Sequence, residues 1–229
     1  MINAGWVDWA NRVPGVSDKV YSSPNTGEWI TCHSVVGRET EFQDGIPNRF
    51  LSTARLPNGD YTADAAASCM FILRENGTLI QMYPVTASTW TSGGREGNTR
   101  SWAIEAEGGL APNYGEQLTP AAEATFIRLV REWARHTGRK AVPGVTLLQH
   151  TDVAKKFGYA ATACASGRYA NAWAKIAAGE EEEMAKEEFA QELNRALQLR
   201  MKLTRLANDA DLTRVEGAVK ALEKAGYNL

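Results

Sequence analysis

Residues 147–164, LLQHTDVAKKFGYAATAC, bring an imidazole, His150, close to a thiol, Cys164, with Thr162 two positions before the thiol in a T-x-C pattern. An imidazole and a thiolate hold zinc if a third ligand arrives from elsewhere in the chain. The chain has only three histidines. His136 falls at the end of an expected helix, which leaves His33, in an expected strand, as the natural third ligand. Three protein ligands with an open fourth position form the pattern of catalytic rather than structural zinc. The plainer alternative stays open at this point: a lone histidine in an apolar strand is more often a hydrogen-bonded core residue, and a lone cysteine more often fills space. Two carboxylates, Glu105 and Glu107, alternate in SWAIEAEGG and so share one strand face.

The elements that must position these groups follow from pattern and punctuation. The run WITCHSVVG, residues 29–37, is rich in β-branched and aromatic residues and predicts a strand, with His33 on the face of Thr31 and Val35 and Cys32 on the other. SCMFILRENGTLIQMYPV, residues 68–85, predicts a hairpin turning near Asn76-Gly77. In residues 101–109 Trp102, Ile104 and Ala106 share one strand face. VTLLQH is a short strand leading into His150. The clearest helix starts at Thr119-Pro120, an N-cap followed by proline at N1, carries the stripe Phe126, Leu129, Val130 and Trp133, and ends at Gly138. A further helix is expected over residues 168–178, and the spacing of Trp6 and Trp9 suggests a short amphipathic helix. Residues 38–67 are polar and punctuated by proline and glycine. They predict a substrate-side loop with room for a short helix of its own, because unstructured loops of this length usually serve function. STWTSGGREGNTR, residues 88–100, reads as a Gly-rich loop.

Composition bounds the rest. With 229 residues the chain is long enough for one good core and a small appendage. A net charge of −2 argues against nucleic acid as the main partner. No apolar run approaches the ~18 residues of a membrane span. The opening MINAGWVDWANRV lacks a basic head followed by an apolar run, so no ordinary secretory signal is expected. Three cysteines imply no disulfide framework. Strands alternating with helices predict an α/β domain whose hairpin makes the central sheet mixed, flanked by helices. Composition changes abruptly at GEEEEMAKEE. The predicted organisation is a catalytic domain over 1–178, an acidic linker over 179–184, and a small C-terminal helical hairpin over 185–229.

Residues ~25–178 resemble the zinc-dependent N-acetylmuramoyl-L-alanine amidases, a family that includes phage endolysins and shares its fold with the peptidoglycan recognition proteins. WITCHSVVG resembles the strand whose histidine binds zinc, which implies His33. LLQHTDV resembles the second histidine strand, implying His150, and TACASGR resembles "T.CPG", implying Cys164 as third ligand. SWAIEAEGG resembles "sigIEleG", which puts the catalytic glutamate at Glu105, with Glu107 as the runner-up. STWTSGG followed by Asn98 resembles the "AWHaG…N" loop. The chain departs from the pattern at Thr91, where the loop histidine would stand, at Ala165, where the proline would stand, and at Met70. None of these removes a zinc ligand.

The resemblance implies hydrolysis of the amide between N-acetylmuramic acid and L-alanine in peptidoglycan, with Zn2+ as cofactor, Glu105 as proton carrier and Thr162 as a donor to the oxyanion or a cap of the turn before Cys164. It also implies a phage lysis enzyme, made in the host bacterial cytoplasm and released to the cell wall by a separate membrane-permeabilising protein, without membrane insertion of its own. Two other readings compete. One is a non-catalytic peptidoglycan-binding module, whose members typically lack a zinc ligand. The other is a cysteine amidase or peptidase with Cys69 or Cys32 as nucleophile and His150 oriented by Asp152. The tail carries the stripes Phe189-Leu193-Leu197-Met201 and Leu212-Val215-Val219-Leu222. A hairpin this small, without cysteine or histidine, is expected to need a partner: self-association, a cell-wall ligand, or the amidase domain. Met184 after four glutamates suggests a further reading, a separately translated tail.

Overall fold

The computed structural model describes residues 1–35, 42–43, 46–62, 65–109, 115–160, 162, 164–165, 167–179 and 220. The chain divides into two units, Met1–Ala177 and Ala178–Leu229; the expected linker and helical hairpin lie outside the described residues, apart from Gly179 and Lys220.

The first unit is built on a six-stranded sheet. Its strands are β1 (Asn11–Arg12), β2 (Trp29–Val35), β3 (Phe71–Leu73), β4 (Leu79–Gln81), β5 (Ser101–Glu107) and β6 (Leu147–Gln149), in the spatial order β6-β2-β5-β3-β4-β1. β3 and β4 pair antiparallel and every other neighbouring pair is parallel, so the sheet is mixed as expected. The hairpin closes where the sequence places it. Arg74 and Thr78 bond across the turn, and Gly77 sits at φ 84°. A Cβ on Gly77 would also lie 2.9 Å from the Ala121 carbonyl oxygen. Gly77→Ala is therefore expected to lower stability by about 1–2 kcal/mol or more, read as a lower midpoint in urea unfolding, because the left-handed conformation is costly for a residue with a Cβ.

The helices are α1 (Asn48–Leu51), α2 (Arg95–Arg100), α3 (Pro120–Thr137), α4 (His150–Phe157) and α5 (Ala170–Ala178). α3 forms with the predicted punctuation: the Thr119 hydroxyl accepts from the Ala122 N–H, Pro120 opens the helix, and Gly138 ends it at φ 68°. Its buried stripe of Phe126, Leu129, Val130 and Trp133 packs with α5 against one sheet face, made by Ile30, Cys32, Trp102, Ile104 and Phe71. The opposite face carries Ile72, Ile80 and Ala103 under Phe50 of α1. Strand alternation puts His33 and Glu105 on that second face. Among the described residues no helix is long and apolar enough to cross a membrane.

Three local expectations are corrected. Trp6 and Trp9 do not share a helix. Ala4 at φ 49° and Gly5 at φ 82° turn the chain, and Trp6–Val7 pairs antiparallel with Ile2–Asn3. The Gly-rich segment contains α2, and the stretch after β6 is helical from His150 onward. α4 is capped by Gln149 and Asp152, each side chain bonding the other's backbone N–H, and Gly158 closes it in the left-handed conformation.

Candidate active site

The site lies at the C-terminal ends of parallel strands, where open α/β sheets bind ligands. In the parallel pairing of β2 and β5, Glu105 stands opposite His33, so the two side chains lie side by side on one face. His150 is the first residue of α4, directly after β6, the other neighbour of β2. The ligand atoms of His33, His150 and Cys164 all lie within 4.8 Å of one another. Cys164 Sγ is 3.6 Å from His33 Nδ1. The two imidazole centroids are 4.5 Å apart.

Surrounding groups hold each of these side chains. The Ser34 N–H donates to Cys164 Sγ at 3.3 Å. The Tyr169 hydroxyl donates to the His33 carbonyl at 2.8 Å, and Ser92 Oγ is 3.4 Å from His33 Nε2. The His150 ring bonds to the Ser92 backbone. The loop carrying Ser92 is fixed in turn by Asn98, whose side-chain oxygen accepts from the N–H groups of Thr91 and Ser92. Gly94 lets the loop pass Tyr159, whose ring would lie 2.2 Å from a Cβ there.

The electrostatics suit a cation. Burial, the neighbouring His150 and Arg49 push the His33 pKa well below its usual value, and burial lowers that of His150, so both rings are neutral with lone pairs free. Burial, with Glu105 nearby, pushes the Cys164 thiol up to about 12, so its sulfur ionises at neutral pH only if a positive charge joins it. Two neutral imidazoles and a half-buried thiol that already accepts a backbone hydrogen bond form a donor set that fits a soft or borderline divalent metal. The 3.6 Å between sulfur and His33 nitrogen is also the edge expected of a tetrahedral site with bonds of roughly 2.0–2.3 Å.

Glu105 is 4% exposed, and burial raises its carboxyl to about 7 against the lowering influence of Arg49. One carboxylate oxygen is 3.6 Å from an Arg49 guanidinium nitrogen, while Oε2 is buried and has no hydrogen-bond partner among the described residues. A cleft of about 250 Å³ joins Glu105, the three candidate ligands and Thr162 with Arg49, Phe50, Trp90 and Thr91. Glu107 does not line it; its carboxylate pairs with Arg74 and accepts from the Glu75 N–H. Thr162 faces the cleft while its oxygen accepts from the Cys164 N–H at 3.0 Å, so the hydroxyl proton stays available to a second partner.

The profile of the N-acetylmuramoyl-L-alanine amidase family matches residues 23–166, more than half of the chain. The chain belongs to this family. No curated protein sequence matches it. Among solved structures, the N-acetylmuramoyl-L-alanine amidase LysC from Clostridium intestinale URNW is 17% identical with a TM-score of 0.50, over 74% of this chain and 98% of that one. The catalytic domain of XlyA is 15% identical with the same TM-score of 0.50, over 74% of this chain and 97% of that one. At such identities the likeness bears on the fold alone, and it agrees with the mixed sheet and flanking helices.

Within the amidase fold the cysteine-nucleophile alternative finds no support. Cys32 and Cys69 are fully buried, burial pushes both thiols well up, and Asp152 is engaged at the Gln149 backbone. Ala165 takes φ 69°, a conformation closed to the proline the family resemblance puts there, so this chain turns after Cys164 in a different way. Trp90 is half-buried and lines the cleft. His136 is exposed near the end of α3, 5.8 Å from Trp102 between ring centroids. Arg49 is the site residue that sequence reasoning missed. It sits in the aperiodic 38–67 segment, where no spacing marks it out.

Proposed function

We propose that this amidase cleaves the bond between N-acetylmuramic acid and L-alanine in peptidoglycan with a zinc-activated water, as a phage lysis enzyme. The observation that carries this reading is the convergence of His33, His150 and Cys164 within 4.8 Å beside a buried carboxylate, one oxygen of which has no hydrogen-bond partner among the described residues. His33, His150 and Cys164 would hold the zinc. When bound, it lowers the pKa of an attacking water to roughly 7 and polarises the scissile carbonyl.

The chain's own groups do the rest. Glu105 Oε2 accepts the proton of the attacking water and delivers a proton to the leaving nitrogen, which departs as the free amine of L-alanine. Arg49 keeps the carboxylate oriented and favours its ionised form. The Thr162 hydroxyl donates to the carbonyl oxygen as negative charge gathers there. Phe50 and Trp90 wall the cleft and limit water around the reacting atoms.

Mass analysis of digested peptidoglycan tests the bond: new lactyl carboxylates and new L-alanine amines are expected, abolished by phenanthroline and restored by zinc. Cleavage within the peptide or the glycan would refute it. The pH dependence follows from Glu105, which acts as a base only when ionised. Activity is expected to rise with pH through an acidic limb at or below about 7, since a bound dication adds to Arg49 in lowering that carboxyl. The residual activity of a Glu105→Gln variant should lack this limb.

The wider setting is part of the same proposal. The enzyme would accumulate in the host cytoplasm and reach the wall after a separate protein permeabilises the membrane. Residues 185–229 would self-associate or bind the wall, as their two apolar stripes call for a partner.

A further inference from the structure

Lys19 is a fully buried lysine. It lies in the N-terminal arm, before the matched family region that starts at residue 23. Removing an ammonium from water is costly unless its donors are satisfied. Here they serve one helix end: Nζ donates to the Arg49 carbonyl at 3.0 Å and reaches the Phe50 carbonyl at 3.5 Å. α1 has only four residues, so its last carbonyls have no partners within the helix, and a cation at that end satisfies both hydrogen bonding and charge. Tyr61 covers the ammonium, 5.0 Å from its ring centroid. The backbone of Lys19 ties the other wall of the cleft. Its carbonyl accepts from Ser68 Oγ at 2.6 Å, and that oxygen accepts from the Trp90 N–H at 2.7 Å. Thr91 Oγ1 donates to the Ser68 carbonyl at 2.6 Å. One arm residue thus joins the Arg49–Phe50 wall to the Trp90–Thr91 wall.

We propose that Lys19 is a positioning residue of the reaction: it holds the end of α1 so that the Arg49 guanidinium meets the Glu105 carboxylate. The proposal rests on Glu105 being the base. Arg49 is bound at Glu105 by a 3.6 Å contact and is itself half-exposed, so its geometry depends on where the α1 backbone is anchored. The arm, which the family profile does not include, then belongs to the catalytic apparatus of this chain.

The test uses the full-length, zinc-loaded protein and a soluble muramoyl peptide. Lys19→Met keeps the apolar stem and removes the donors. It is expected to lower kcat about tenfold with KM within about twofold, and Arg49→Met to do the same. The double variant should fall no further than Arg49→Met alone, because both changes act through one contact. In the metal-free protein the Arg49 Nε–H resonance should move toward that of free arginine in Lys19→Met. Wild-type kcat in Lys19→Met, or losses that multiply in the double variant, would overturn the inference. Full turnover in Glu105→Gln would instead overturn the reading of the base. Should Lys19→Met not fold, Lys19→Gln retains a shorter donor and is read the same way. If neither folds, Lys19 is a structural strut and the inference fails.

Discussion

Glu105→Gln is expected to lower kcat by about 10²–10⁴-fold with zinc content and KM close to wild type, because an amide accepts no proton from water. The substitution is nearly isosteric at a site 4% exposed, so packing is kept. Stability should move in the opposite direction to activity. Burial raises this carboxyl to about 7 in the folded chain, above its ordinary value of 4.5. A carboxyl raised on folding favours the folded state while protonated and loses that contribution as pH climbs from about 4.5 through 7. At pH 8 the ionised Glu105 therefore opposes folding of the metal-free protein, and the glutamine variant should melt higher there. Glu107→Gln should behave differently: it removes the charge that buried Glu107 presents to half-buried Arg74, destabilises the chain, and leaves the turnover of folded molecules largely intact. A comparison of kcat and melting temperature in the two variants at pH 8 decides between the carboxylates. High turnover in Glu105→Gln together with lost turnover in Glu107→Gln would exchange their roles.

The pair His33 and Glu105 was legible because both sit on strands whose period of two fixes the face of every residue. Once WITCHSVVG and SWAIEAEGG are strands, Cys32 and Ile104 go to the α3 side, and His33 and Glu105 to the other. α3 was legible because Thr119, Pro120 and Gly138 mark its ends and four large residues its stripe. α4 escaped notice because its cap is Gln149, a weak member of the capping set; the signal that could have found it was Asp152 three residues on with Gly158 closing the turn. α2 has no apolar stripe at all. Its shape comes from Asn98, which anchors the preceding loop through its side chain. Arg49 and Lys19 were illegible for a related reason: their roles depend on contacts between the arm, the 38–67 segment and β5, which no local period encodes. The Trp6 and Trp9 spacing misled because the left-handed turn at Ala4-Gly5 fixes the chain direction before any helix can start.

Cys164→Ser is expected to abolish stoichiometric zinc binding and to leave turnover below ~1% of wild type, since a serine hydroxyl does not ionise near neutral pH and makes a poor borderline-metal ligand. Size and the Ser34 N–H hydrogen bond are nearly preserved, so the metal-free fold should persist. The thiol of the wild type, held up to about 12 by burial, becomes a thiolate only with the metal, and binding should release a proton. That proton distinguishes ligation by Cys164 from a site made by the histidines alone: calorimetry in buffers of different ionisation enthalpy should show it in the wild type and not in the variant. Zinc at about 1,000 times its Kd should raise wild-type stability by about 4 kcal/mol, and the variant should show almost none of that gain. Ser92→Ala gives the graded control. Ser92 Oγ lies 3.4 Å from His33 Nε2, on the ring nitrogen opposite the one facing the sulfur, so it orients a ligand without being one. Its loss should weaken zinc binding by about 10–100-fold and leave the proton release intact. If Cys164→Ser still binds one zinc with wild-type affinity, the sulfur lies beside the metal site and not in it, and the third ligand must be sought at Glu105.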